Sequence, residues 1–206
     1  KFNVGDGTTL TLRTDSNAGN QIVGAFGLTG TGSLNFDSGL LTTAGNTSFS
    51  GDGNLRILGN ATFSAGHDTT FASRLSFENG TITGAGNISI TGPFAWTGGT
   101  MSGTGTTTLS GAGVIDNTSA YKYLGRRLDV TGSLTFGNSS GYYLQLNNGG
   151  DLHLGASGRL ATTTASGMIY LAAGTGGSAL LSADDGAMIE VGDGTTLTLR
   201  SDSTAG

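Results

Sequence analysis

A stretch of sixteen residues occurs twice in this chain. VGDGTTLTLRTDSNAG occupies positions 4–19 and VGDGTTLTLRSDSTAG occupies positions 191–206, so the copies lie 187 residues apart. Only Thr14/Ser201 and Asn17/Thr204 differ, small polar for small polar in each case. A match of this length does not come from composition, even in a chain rich in Gly and Thr. Residues 4–190 therefore read as one tandem unit, and 191–206 as the opening of the next, within a single segment spanning 1–206. The junction carries no spacer: AMIEVGDGTTLTLR runs through Val191 without proline or a charged linker. A fold repeated without linkers has to grow along an axis, because a closed core leaves nowhere for the next unit to continue.

Composition narrows the choice. The 206 residues include 39 Gly, a single Pro and no Cys, with 35% hydrophobic residues, 11% charged residues and a net charge of −5. That apolar share is too high, and the charge too low, for a disordered polymer. Glycine follows no three-residue period and proline is nearly absent, which excludes collagen. No apolar run is long enough to span a bilayer. The acidic balance lacks the clustered Lys and Arg that neutralise phosphates, which argues against a nucleic-acid partner. Without Cys there is neither a disulfide nor a thiolate metal site, so a secreted chain of this kind must draw its stability from a long continuous core.

Helical periodicity is missing, because Gly interrupts every window. What recurs is a pair of apolar residues flanking one polar residue, followed by Gly, Asn, Asp or Ser. Examples are Leu34/Phe36, Leu55/Ile57, Leu75/Phe77, Ile88/Ile90, Leu128/Val130, Leu152/Leu154 and Ile189/Val191. Period two puts each pair on one face of a short strand and the residue between on the other. Turn residues follow each strand closely. A sandwich or barrel of antiparallel hairpins would accommodate such strands, but its length is bounded by one closed core. A parallel β-solenoid explains the linker-free repeat as well. The expected fold is thus all-β, a parallel β-helix with right-handed coils. At three strands per coil, about nine coils of roughly 20–24 residues fit one unit. Stacked at ~4.8 Å, they would advance on the order of 43 Å. No capping helix is evident, so the unit is expected to continue covalently or to stack end to end with other copies.

Two segments carry a family resemblance. GTITGAGNISITGPFAWTGGTMSGTGTTTLSGAGVIDN spans Gly80–Asn117, and YKYLGRRLDVTGSLTF spans Tyr121–Phe136. They resemble the giant Gly/Thr-rich β-strand-repeat surface proteins of bacteria, related in style to filamentous haemagglutinin-like adhesins. The likeness covers the middle third closely and the rest in style. It implies a parallel β-solenoid, an extracellular location, and adhesive, matrix or fibre work. It carries over no catalytic or ligand residue.

Candidate chemistry is sparse. No G-x-S-x-G elbow, Walker motif or zinc signature occurs, and no catalytic residue is assigned. His153 lies between Leu152 and Leu154 and should face outward; His67 and Asp68 are adjacent and should point to opposite faces. Asp6, Asp184, Asp185 and Asp193 sit in Gly- and Asp-rich turns. They read as Asx turns at corners, leaving room for structural calcium at one corner and for no other cofactor or metal. Tyr121, Lys122, Tyr123, Arg126 and Arg127 concentrate cations and tyrosines in a weakly charged chain. They are expected to form a protruding loop or lateral partner contact, with Arg stacked on Tyr. Trp96 shares the face of Phe94 and is expected in the core, while one of Tyr142 and Tyr143 should pack and the other be exposed.

The functional expectation is a structural or adhesive repeat segment of an extracellular bacterial fibre, sheath or giant surface protein. Its partners would be other copies of itself, end to end or lateral, and glycans or matrix. The alternatives are a carbohydrate-binding or carbohydrate-active β-helix, and an ice-binding solenoid. The last requires Thr9–Thr11, Thr106–Thr108 and Thr162–Thr164 to align on one face.

Overall fold

The computed structural model describes residues 2–14, 20–116, 120–137, 143–162, 166–171 and 178–201. Asn117, Tyr142, Thr163, Thr164 and the last five residues of the second sixteen-residue copy lie outside them. Within them the chain forms 23 strands and no helix. All the strands pair in parallel within one continuous sheet that coils into a three-sided β-solenoid. Among the described residues nine strand levels stack on each side, the longest strands bending round corners to serve more than one side.

Three vertical ladders define the sides. The first runs through Leu10, Leu34, Leu55, Leu75 and Phe94, and ends at Leu134, Leu160 and Ile189. The second runs Leu41, Phe63, Ile82, Met101, Leu124, Leu146, Leu171. The third runs Phe2, Phe26, Phe49, Phe71, Ile90, Leu109, Val130, Leu154. A turn takes 19 residues in the middle of the rod, as from Phe71 to Ile90, and 30 near its end, from Ile169 to Leu199. The ladders stay in register across this range of turn lengths.

Alternation works as the apolar pairs require. Leu55, Ile57, Leu75, Phe77, Leu128, Val130, Leu152 and Leu154 are all fully buried. Each such side chain contributes about 1.5–3 kcal/mol, but only because a neighbouring coil covers it. Phenylalanines stack through the interior: Phe26 on Phe49 at 5.2 Å and Phe49 on Phe71 at 5.3 Å between ring centroids. Trp96 is fully buried against Phe77, 5.7 Å away, and its Nε1 donates to the carbonyl of Gly98 at 3.1 Å.

Corners decide where side chains are forbidden. Gly84 and Gly103 occupy the same corner one turn apart, with φ of 106° and 97°. A Cβ on Gly103 would lie 2.6 Å from the backbone nitrogen of Gly84. The coils touch backbone to backbone there, and the left-handed conformation costs any other residue additional strain. At a nearby corner Asn takes over part of this work. Asp68 Oδ1 accepts from the N–H of Asn87 at 3.3 Å, and Asn87 Oδ1 accepts from that of Thr106 at 3.1 Å.

This geometry separates two glycines. Gly103→Ala should destabilise the protein by at least ~2 kcal/mol. Gly59→Ala, whose Cβ meets only Asn79 Cβ at 4.0 Å, should stay within about 0.5 kcal/mol of wild type. Urea melts of the two variants check this; equal destabilisation would contradict the corner packing.

Candidate functional site

The segment Tyr121–Arg127 is not a protruding loop. Lys122–Leu124 forms a strand of the second side, and Arg127–Val130 one of the third. Period two then sends Lys122 and Leu124 inward and Tyr123 outward. Lys122 is fully buried and Arg126 is 2% exposed, so neither is a lateral contact. This corrects the expectation for those two residues.

Lys122 stacks between Gly99 below and Leu144 above. Its ammonium donates to the carbonyl of Ala120 at 2.7 Å. Burial pushes its pKa down to about 8, against the opposing pull of the Asp116 charge. Arg126 lies along the corner between the second and third sides. Its guanidinium donates to Ser102 O one turn below and to Gly86 O two turns below, each at 3.1 Å. It thus ties three successive turns together. Burial lowers its pKa to about 10, and its Nε has no hydrogen-bond partner among the described residues.

The tyrosines of the segment do reach the surface, where they meet others. The outward positions of the second side run Thr62, Thr81, Thr100, Tyr123, Gln145, Tyr170, Arg200. Tyr121 and Tyr143 flank this file. Tyr121 contacts Tyr143 at 4.7 Å and Tyr123 at 6.3 Å, and Tyr143 contacts Tyr170 at 5.3 Å. Arg200 lies 5.9 Å over the Tyr170 ring. Desolvation by its neighbours and proximity to Tyr121 and Tyr123 raise the pKa of Tyr143. Four aromatic rings and a guanidinium therefore share one side over four turns, with Tyr121 the most open at 41% exposure. Such a surface offers flat apolar faces rimmed by hydroxyl groups. Tyr143 itself stands just ahead of its strand, Leu144–Leu146, beside this file.

Arg127 is exposed as expected, but it is engaged by Asp129 at 2.6 Å and Asp151 at 2.7 Å. These belong to the outward file of the third side, which continues through His153 and Ser182. His153 Nδ1 lies 2.9 Å from Ser182 Oγ, which donates to Asp151 at 3.2 Å, and His153 Nε2 lies 3.5 Å from Asp184. The residue types are those of a hydrolase triad. A nucleophile also needs preorganised donors for an oxyanion, and the nearby amide of Asp184 is spent on Leu154 O at 2.8 Å. The arrangement works as a polar zipper between turns, with exposed pairs of small individual worth.

The calcium candidates do not converge. Asp6 lies at the corner between third and first sides at the start of the rod. It accepts from Thr31 N and Oγ1, both at 2.8 Å, and those bonds lower its pKa. Asp184 and Asp185 sit at the same corner at the far end, and Asp193 lies at the corner after Val191. Among the described residues no three His, Cys, Asp or Glu side chains group to hold a metal ion. The Thr strings also separate. Thr9 and Thr11 belong to the first side, whereas Thr107 points inward on the third, so these strings do not build a common hydroxyl face. No protein-family model, curated protein or solved structure matches the chain.

Lys122 yields a signed pH dependence. Its folded pKa of about 8 lies below the ordinary 10.5. Between those values the unfolded chain holds a proton that the folded chain lacks, so unfolding free energy rises with pH. Below pH ~8 the ion is buried charged and the full cost is present. Urea unfolding from pH 7 to 10 should show this rise in wild type. Lys122→Met should remove it and add about 1 kcal/mol of stability at pH 7; coincident profiles would refute the assignment.

Proposed function

We propose that this chain is a structural and adhesive repeat segment of an extracellular bacterial fibre, sheath or giant surface protein. The observation that carries this reading is the open-ended core. The three ladders run through the described residues, and the last turn leaves Ile189 49%, Val191 53% and Leu199 54% exposed. These are core positions awaiting a further turn, on strands with unpaired edges. The linker-free recurrence at Val191 and the likeness to β-strand-repeat adhesins support the same role, as does a solenoid architecture that extends by adding coils. Partners are then other copies of this chain, and no cofactor enters.

The tyrosine file supplies the adhesive part of the reading. Rigid aromatic faces with hydroxyl edges suit glycan or matrix contacts at low entropic cost. This favours a binding role over carbohydrate cleavage: beside the third-side polar file the amide of Asp184 is already bonded to Leu154 O.

Electron micrographs of the parent protein should show thin rods; compact globules would overturn the fibre role. On a glycan array, any ligand bound by the chain should lose at least tenfold in signal with Tyr121→Ala/Tyr170→Ala. A ligand indifferent to both changes would place adhesion elsewhere.

A further inference from the structure

The two copies of the sixteen-residue stretch occupy different sides of the rod. In the first, Leu10 and Leu12 stack with Leu34 and Phe36 on the first side. In the second, Leu197 and Leu199 stack on Gly167 and Ile169 of the second side. The residues just ahead shift in the same way: Phe2–Val4 belongs to the third side and Met188–Val191 to the first. Eight steps up the third side lead from Phe2 to Ala183, and one more side leads to Ile189. The unit is therefore eight whole turns plus one side.

Cover differs between the copies as well. Val4 is 4% exposed beneath Leu28, whereas its counterpart Val191 is 53% exposed. Leu12 is half-buried beneath Phe36, whereas its counterpart Leu199 is 54% exposed. The open edge thus repeats the residues that the first copy covers with its own segments 26–28 and 33–36. Its shape and sequence already specify what fits over it.

We propose that this edge is the seat of a further copy of the same repeat, entered one side later around the rod. Residues 24–28 of that copy lie on the first side, with Phe26 over Ile189 and Leu28 over Val191. Its residues 33–36 lie on the second side, over Leu197 and Leu199. The proposal rests on the array reading above and adds its phase. Successive copies display the tyrosine file on successive sides, returning to the same side after three. Each copy advances roughly 40 Å and three advance roughly 120 Å at the spacing of stacked strands.

The chain lacks cysteine, so paired cysteines report register directly across strands about 4.8 Å apart. In the 206-residue chain, Ala161→Cys/Glu190→Cys should form a disulfide and Ser182→Cys/Glu190→Cys should not. The reverse would put the second copy on the third side and overturn the one-side step. In the chain extended beyond Gly206 by residues 20–190 of a second copy, Thr198→Cys should cross-link to Asn35→Cys of that copy, as Thr11 faces Asn35 in the first. Two folded copies by circular dichroism without that cross-link would overturn the seat. Val191→Asp should be nearly silent in the 206-residue chain and lower Tm by several degrees in the extended one; equally small effects in both would also overturn it. Globular particles in micrographs of the parent would instead refute the array, independently of the phase seen by cross-linking.

Discussion

Each strand of this molecule is hydrogen-bonded in register to the strand one turn below, and the rest of the structure is conditioned by that pairing. In-register stacking places like on like. Apolar residues meet apolar residues inside, which is why Phe26, Phe49 and Phe71 form one column. It also brings corner backbone onto corner backbone, which is why Gly103 sits on Gly84. Lengthening a turn from 19 to 30 residues leaves the ladders undisturbed. A fold of this kind has no centre. Its stability is a sum of neighbouring turns.

Much of the fold was legible because the apolar pairs report it without ambiguity. Leu75/Phe77 or Leu152/Leu154 can face only one way in an extended chain, and both pairs are buried. Strands with a single apolar residue were harder to read. Gly99–Met101 and Thr107–Leu109 are held by their neighbours above and below more than by their own sequence. Thr107 faces inward because Leu109 does, although a Thr triplet reads as a hydroxyl surface. The same rule was available for Lys122, which stands two residues before Leu124. Its charge argued for solvent, and the ladder outweighed the charge by providing Ala120 O as an acceptor. Arg126 gave no local signal: its acceptors Ser102 and Gly86 lie 24 and 40 residues away. The tyrosine file was half visible, since Tyr121 and Tyr123 stood out but their stacking with Tyr143 and Tyr170 needs the turn lengths.

The outer surface divides by side. The second side carries hydroxyls and then aromatic rings, with Thr62, Thr81 and Thr100 giving way to Tyr123 and Tyr170. Charged pairs gather on the other two: Arg56 grips Glu78 at 2.9 and 2.8 Å on the first side, and Arg127 joins Asp129 and Asp151 on the third. With the charges of these sides drawn into pairs, the aromatic side is left as the chemically distinctive one.

The direction of the backbone bonds sets how such a rod bears load. They run along its length, so a pull between its ends strains the bonds of a terminal turn before those within. The chain then peels turn by turn, and each release frees 19 to 30 residues of slack, on the order of 65–100 Å of contour. Arg126 interrupts that sequence. By gripping carbonyls on two lower turns it makes three coils give way together, a stiff node in an otherwise extensible tether.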